Sequence, residues 1–145
     1  MNSFERLVRA SVIGTLRDTS GAPSAAGVSA SLGAPEPEVT AAMHALADEH
    51  RLALIPGTDS IWMAHPFSGV PTDFVTTISG QRWFANCVWD GLAILALLGD
   101  GRLETHSPAT GHPIVFEVSA GVVRGEALVH FLVPARRFWE DIGFA

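Results

Sequence analysis

From Asn86 to Leu98 the chain reads Asn-Cys-Val-Trp-Asp-Gly-Leu-Ala-Ile-Leu-Ala-Leu-Leu, an apolar run broken only near its start and closed by Gly99 and Gly101. A helix of this composition has almost no polar face, so it must be covered on several sides and serve as the spine of a core. The two glycines end it. The run is well short of the ~20 residues that a membrane span needs, and the N-terminus has no basic segment followed by an apolar signal core. These features predict a soluble, cytoplasmic protein with no membrane partner. With 145 residues, 48% hydrophobic and 17% charged, the chain can bury a core without a disulfide or metal staple.

What precedes the spine reads as a separate unit, residues 1–66. Leu7, Val8, Val12 and Leu16 fall at helical spacing after Ser3, an expected N-cap, and the Asp18-Thr19-Ser20-Gly21 cluster stops that helix. Ser24 and Gly33 bracket a second helix. Pro35, Glu36 and Glu38 open a third, whose stripe is Val39, Met43 and Leu46. Strands over Leu52–Ile55 and Ser60–Ala64 flank the turn Pro56-Gly57-Thr58-Asp59. Three helices and a hairpin in this order predict a winged-helix-like unit.

Such a unit suggests DNA binding, but its charge argues otherwise. Residues 1–66 hold four arginines (Arg6, Arg9, Arg17, Arg51) against seven acids (Glu5, Asp18, Glu36, Glu38, Asp48, Glu49, Asp59). The helix that would enter the major groove begins with Glu36 and Glu38, where phosphate repels it. The whole chain carries a net charge of minus six. A structural role for this unit is therefore expected, and a nucleic-acid partner is not.

Pro66 to Pro71 reads as a linker or a change of direction, and residues 72–145 as an α+β core. Strands are expected at Phe74–Ile78 and Gln81–Phe84 around Ser79-Gly80, then at Arg102–His106, Ile114–Ser119 and Glu126–Val133, with a last helical turn at Ala135–Asp141. The fold class is α+β: a winged-helix-like three-helix unit, then a mostly antiparallel sheet packed on one buried helix.

Chemistry concentrates at the start of the spine. Cys87 is the only cysteine, which excludes an internal disulfide and any zinc site of paired cysteines; there is no lysine, which excludes Schiff-base chemistry. A thiol in a first helical turn faces unpaired N–H groups, so its thiolate is expected to be favoured as nucleophile and soft-metal ligand. Asp90, three residues on, shares its helix face. If Trp83, Trp89 and Leu92 exclude water there, the carboxyl can hold a proton for delivery. The plainer alternative is a buried, inert Cys87 with a locally bonded Asp90.

The run Ile78-Ser79-Gly80-Gln81-Arg82-Trp83-Phe84-Ala85-Asn86-Cys87-Val88-Trp89-Asp90-Gly91-Leu92, followed by Thr105-His106-Ser107-Pro108-Ala109-Thr110-Gly111-His112-Pro113-Ile114, resembles the core of the organomercurial (alkylmercury) lyase family. That family also has a winged-helix-like N-terminal part that does not serve DNA binding. The resemblance implies that Cys87 is the cysteine that attacks mercury and Asp90 the aspartate that protonates the departing carbon. It places Ser107, a pocket neighbour, where many members carry a cysteine in the small-residue turn. No cofactor is implied, mercury being part of substrate and product. The family's second catalytic cysteine is expected just after Trp139-Glu140-Asp141-Ile142-Gly143-Phe144, where this sequence ends at Ala145. The expectation is thus a divergent member lacking that cysteine. Two thiolates push electron density onto the leaving carbon better than one, so small cellular thiols become candidate partners. The alternatives are a non-catalytic soft-metal or small-ligand sensor and, behind it, a winged-helix DNA-binding regulator.

His106, His112 and His130 could form an open zinc or copper site, but no tight spacing such as His-x-x-x-His joins them. Trp62, Trp83, Trp89 and Trp139 read as core and pocket walls, because no basic groove accompanies them. Arg136 and Arg137 read as a solvated face.

Overall fold

Helix α1 (Ser3–Thr19) buries Val8, Val12 and Leu16, one residue per turn. Its N-cap is Asn2 and not Ser3. The Asn2 side chain accepts from the Glu5 amide at 2.9 Å and Glu5 accepts from the Asn2 amide at 2.6 Å, a reciprocal box that the acid three residues after Asn2 makes possible. Helix α2 (Ala25–Leu32) is bounded as expected by Ser24, which accepts from the Gly27 amide at 3.1 Å, and by Gly33, left-handed at φ 62°. Helix α3 (Glu36–Asp48) buries Val39, Ala42, Met43 and Leu46. A small antiparallel sheet follows, β1 (Ala53–Leu54), β2 (Ile61–Ala64) and β3 (Phe67–Ser68), in that order. These elements belong to a computed structural model in which residues 1–143 are described; Phe144 and Ala145, the end of the expected core unit, lie outside the described residues.

Strand β3 lies inside the stretch expected to be a linker or a change of direction. Phe67 is buried and bridges to Ala85, so this segment joins the two sheets. Two residues are too few to show a periodicity among prolines and glycines.

The second sheet is antiparallel throughout, with β4 (Val75–Ile78), β5 (Gln81–Phe84), β6 (Gly101–His106), β7 (Pro113–Ser119) and β8 (Val122–Arg124) in the order β5-β4-β6-β7-β8. The strand expected over Glu126–Val133 does not form. Ala120 and Gly121 both take positive φ (50° and 74°), a two-residue turn that starts pairing at once with Ser119 opposite Val122. Gly125, at φ 141°, ends the strand, and residues 126–134 have no regular structure. The last turn is a 3₁₀ helix, Ala135–Glu140.

Helix α4 (Val88–Leu98) starts two residues later than expected, with Cys87 as its N-cap. It packs Gly91, Ile94 and Leu95 inward; Leu103 of β6 and Thr76 of β4 are fully buried, and the Thr76 hydroxyl donates to the Gly91 carbonyl at 3.3 Å. Its other face is more open than the sequence led one to expect: Trp89 is 54% and Leu97 66% exposed. The helix lies across one face of a sheet, and one face is what the strands can cover. A continuous cluster of buried side chains takes Val12, Leu16 and Met43 together with Trp83, Ala85 and Ile94, so α4 and the three N-terminal helices share packing.

Candidate active site

The backbone of Cys87 is extended (φ −157°, ψ −178°), because an N-cap precedes the first helical residue. The sulfur therefore stands at the mouth of α4, half-buried, in the wall of a cleft of about 410 Å³. Asn86 and Val88 flank it; Phe74, Ile114 and Phe116 form an apolar floor. The irregular segment, from Ala127 to Leu132, contributes to the lining as well. Its apolar residues read as a strand in the sequence because they line this cleft and not because they pair.

The expected preference for thiolate is reversed. Burial pushes the Cys87 thiol above its ordinary pKa. The amides of Asp90 and Trp89 face the sulfur and oppose this, yet neither closes a capping hydrogen bond, while the charge of Asp90 raises the pKa further. Helix-terminus dipoles act over one turn, and here burial outweighs them.

Asp90 is mostly buried, at 17% side-chain exposure. Its Oδ2 accepts from Asn86 Nδ2 at 2.8 Å and lies 3.0 Å from His65 Nδ1. Asn86 Nδ2 also donates to the Phe67 carbonyl at 3.3 Å, and Asn86 Oδ1 is buried with no partner among the described residues, an acceptor left open. Asp90 is not itself a cleft wall; Asn86, which is, bonds to it. Asn86 and His65 escaped the sequence reading as site residues. Asn86 had a local signal, its i,i+4 spacing to Asp90, whereas His65 is 25 residues away and has none.

Three expected pocket residues lie elsewhere. Trp83 points away from the cleft, its indole nitrogen donating to the carbonyls of Leu16 and Arg17 at the end of α1. Strand alternation puts residue 83 on the α1 side of β5. Trp89 points outward from α4. Ser107 closes the turn to His112, its amide donating to the His112 carbonyl at 2.8 Å, and is absent from the lining that its neighbours His106 and Pro108 join. His106 sits in the cleft 3.5 Å from Asp73, and His130 also lines it. His112 does not, and among the described residues no group of three or more histidine, cysteine or acidic side chains is placed to hold a metal ion. No described helix is long and apolar enough to cross a membrane.

A half-buried thiol beside apolar walls, at the mouth of a helix laid on an antiparallel sheet, can chemically engage a soft, lipophilic electrophile. The sequence model of the alkylmercury lyases, MerB, matches residues 67–144, more than half of the chain and all of the cleft-bearing part. The chain belongs to the alkylmercury lyase family. Among solved structures it resembles the mercury-bound form of MerB2, with a TM-score of 0.69 and 21% identity over 86% of this chain. That likeness extends to the N-terminal helices and establishes the shared α+β fold. The chain spans 60% of the length of that protein. No curated protein sequence matches it.

Proposed function

We propose that the chain captures an organomercurial cation on Cys87 and cleaves its carbon–mercury bond by protonation. The observation that carries this reading is the Cys87 sulfur, half-buried in an apolar cleft with the Asp90 charge acting on it. An apolar wall suits the organic group, and a soft sulfur suits the metal. Because the free thiol is held protonated, metal binding must displace its proton, as coordination to a soft cation does. Asp90 is the acceptor proposed for that proton. The first step forms the S–Hg bond, breaks S–H and leaves Asp90 neutral. In the second, the carbon takes the Asp90 proton together with the electron pair of the C–Hg bond; hydrocarbon departs, and mercury stays on sulfur as a divalent ion. Cys87 supplies one mercury ligand, and a small thiol is the second ligand in the reaction proposed here.

Phenylmercury incubated with the protein and excess small thiol is expected to release benzene, and Cys87→Ser to abolish the release. Benzene at the level of thiol alone would overturn the reading. A second reading, capture without cleavage, is favoured by Asp90 standing outside the cleft wall that Cys87 lines: it predicts one organomercurial bound per chain and no hydrocarbon. Binding of duplex DNA has less support, since Glu36 and Glu38 are both exposed at the start of α3.

A further inference from the structure

We propose that His65, supplied by the N-terminal unit, is the positioning residue that holds the Asp90 carboxyl in its reactive orientation; this rests on the protonation chemistry proposed above. Two side chains converge on one oxygen. Asn86 Nδ2 donates to Asp90 Oδ2 at 2.8 Å and His65 Nδ1 lies 3.0 Å from the same atom, while Oδ1 has no hydrogen bond among the described residues. A carboxyl pinned through Oδ2 cannot swing, so the transferable proton belongs on Oδ1. His65 is in turn held from its other side, where the Trp139 ring meets it edge-on at a centroid distance of 6.1 Å and stacks on His50 at 4.4 Å. The ring that orients the acid is thus fixed by side chains remote from the cleft, which gives the N-terminal unit a part in the reaction that needs no DNA. Donation to a carboxylate requires the neutral ring to carry its proton on Nδ1, opposite to the usual preference of a free imidazole.

The test compares His65→Leu with His65→Asn, whose amide can place a donor near the Nδ1 position. With phenylmercury and excess thiol, the Leu variant is expected to lose about tenfold or more in kcat with KM nearly unchanged, the scale of a small misplacement of a catalytic group. The Asn variant should recover most of the loss. Wild-type kcat in the Leu variant would overturn the proposal, as would an Asn variant no better than Leu, since a ring that relays protons cannot be replaced by an amide. Nitrogen-15 NMR of the wild-type protein, at a pH where the ring is neutral, should find the His65 proton on Nδ1, moving to Nε2 in Asp90→Ala; a neutral wild-type ring with its proton on Nε2 overturns the pairing whatever the activity. A proton on Nδ1 with no benzene from the wild type would locate the failure in the lyase reading, and the catalytic role of His65 would fall with it while the pairing stood.

Discussion

The indole nitrogen of Trp83 donates to the Arg17 carbonyl at 2.9 Å and to that of Leu16 at 3.2 Å, tying the sheet beneath the cleft to the last turn of α1. The Arg17 carbonyl belongs to the set that a helix end leaves unsatisfied, while that of Leu16 also accepts from the Ser20 amide at 2.9 Å, so the contact is both a cap and a clamp between the two parts of the chain. Trp83→Phe keeps most of the ring and deletes the donor. It is expected to cost about 1–2 kcal/mol in urea-induced unfolding. Unchanged stability would mean that water replaces the indole without loss.

Much of this architecture is legible in the residues, and the exceptions share a cause. Ser24, Gly33 and the Ser79-Gly80 turn mark their boundaries because capping and turn chemistry is local. The N-cap of α1 is displaced by one residue because Asn2 and Ser3 are both good caps and only Glu5 decides between them. Residues 127–132 line a cleft without pairing, an arrangement that sequence periodicity does not distinguish from a strand. The protonation of Cys87 depends on how much protein surrounds the sulfur, a quantity set by the fold. Trp83 and His65 find partners 66 and 25 residues away, beyond any local pattern.

The competition at the α1 cap has a direct consequence. Asn2→Ala should lower stability by about 1 kcal/mol, whereas Ser3→Ala, at an exposed helical position, should change it by less than about 0.5 kcal/mol. Thermal unfolding of the two variants side by side checks this, and the reverse ranking would restore Ser3 as the cap.

At Gly91 α4 lies close against the sheet: a Cβ there would sit 2.5 Å from Leu103 Cδ1. Alanine gains about 1 kcal/mol in helix propensity over glycine, but overpacking a site whose neighbour is fully buried costs about 1–3 kcal/mol. The packing cost should win, so Gly91→Ala is expected to destabilise the fold in denaturant titration. Because α4 carries Cys87 at its mouth, the same variant should also change the alkylation rate of the native thiol. A more stable variant would show that Leu103 yields.

The Cys87 thiol supplies a prediction with a definite sign. Folding raises its pKa above the unfolded value, so its contribution to stability is complete below the unfolded pKa and is lost as the pH climbs through the folded one. Stability should therefore decline with alkaline pH more steeply in the wild type than in Cys87→Ser. Alkylation of the native thiol should rise at higher pH than alkylation of the urea-unfolded chain, because the thiolate is the reacting form. Burial is the largest cause of the shift and Asp90 adds to it, so Asp90→Asn should move the native midpoint down without bringing it to the unfolded value. A midpoint that rises in Asp90→Asn would mean that the carboxylate stabilises the thiolate indirectly, and the assignment of Asp90 as acceptor of the thiol proton would lose its electrostatic basis.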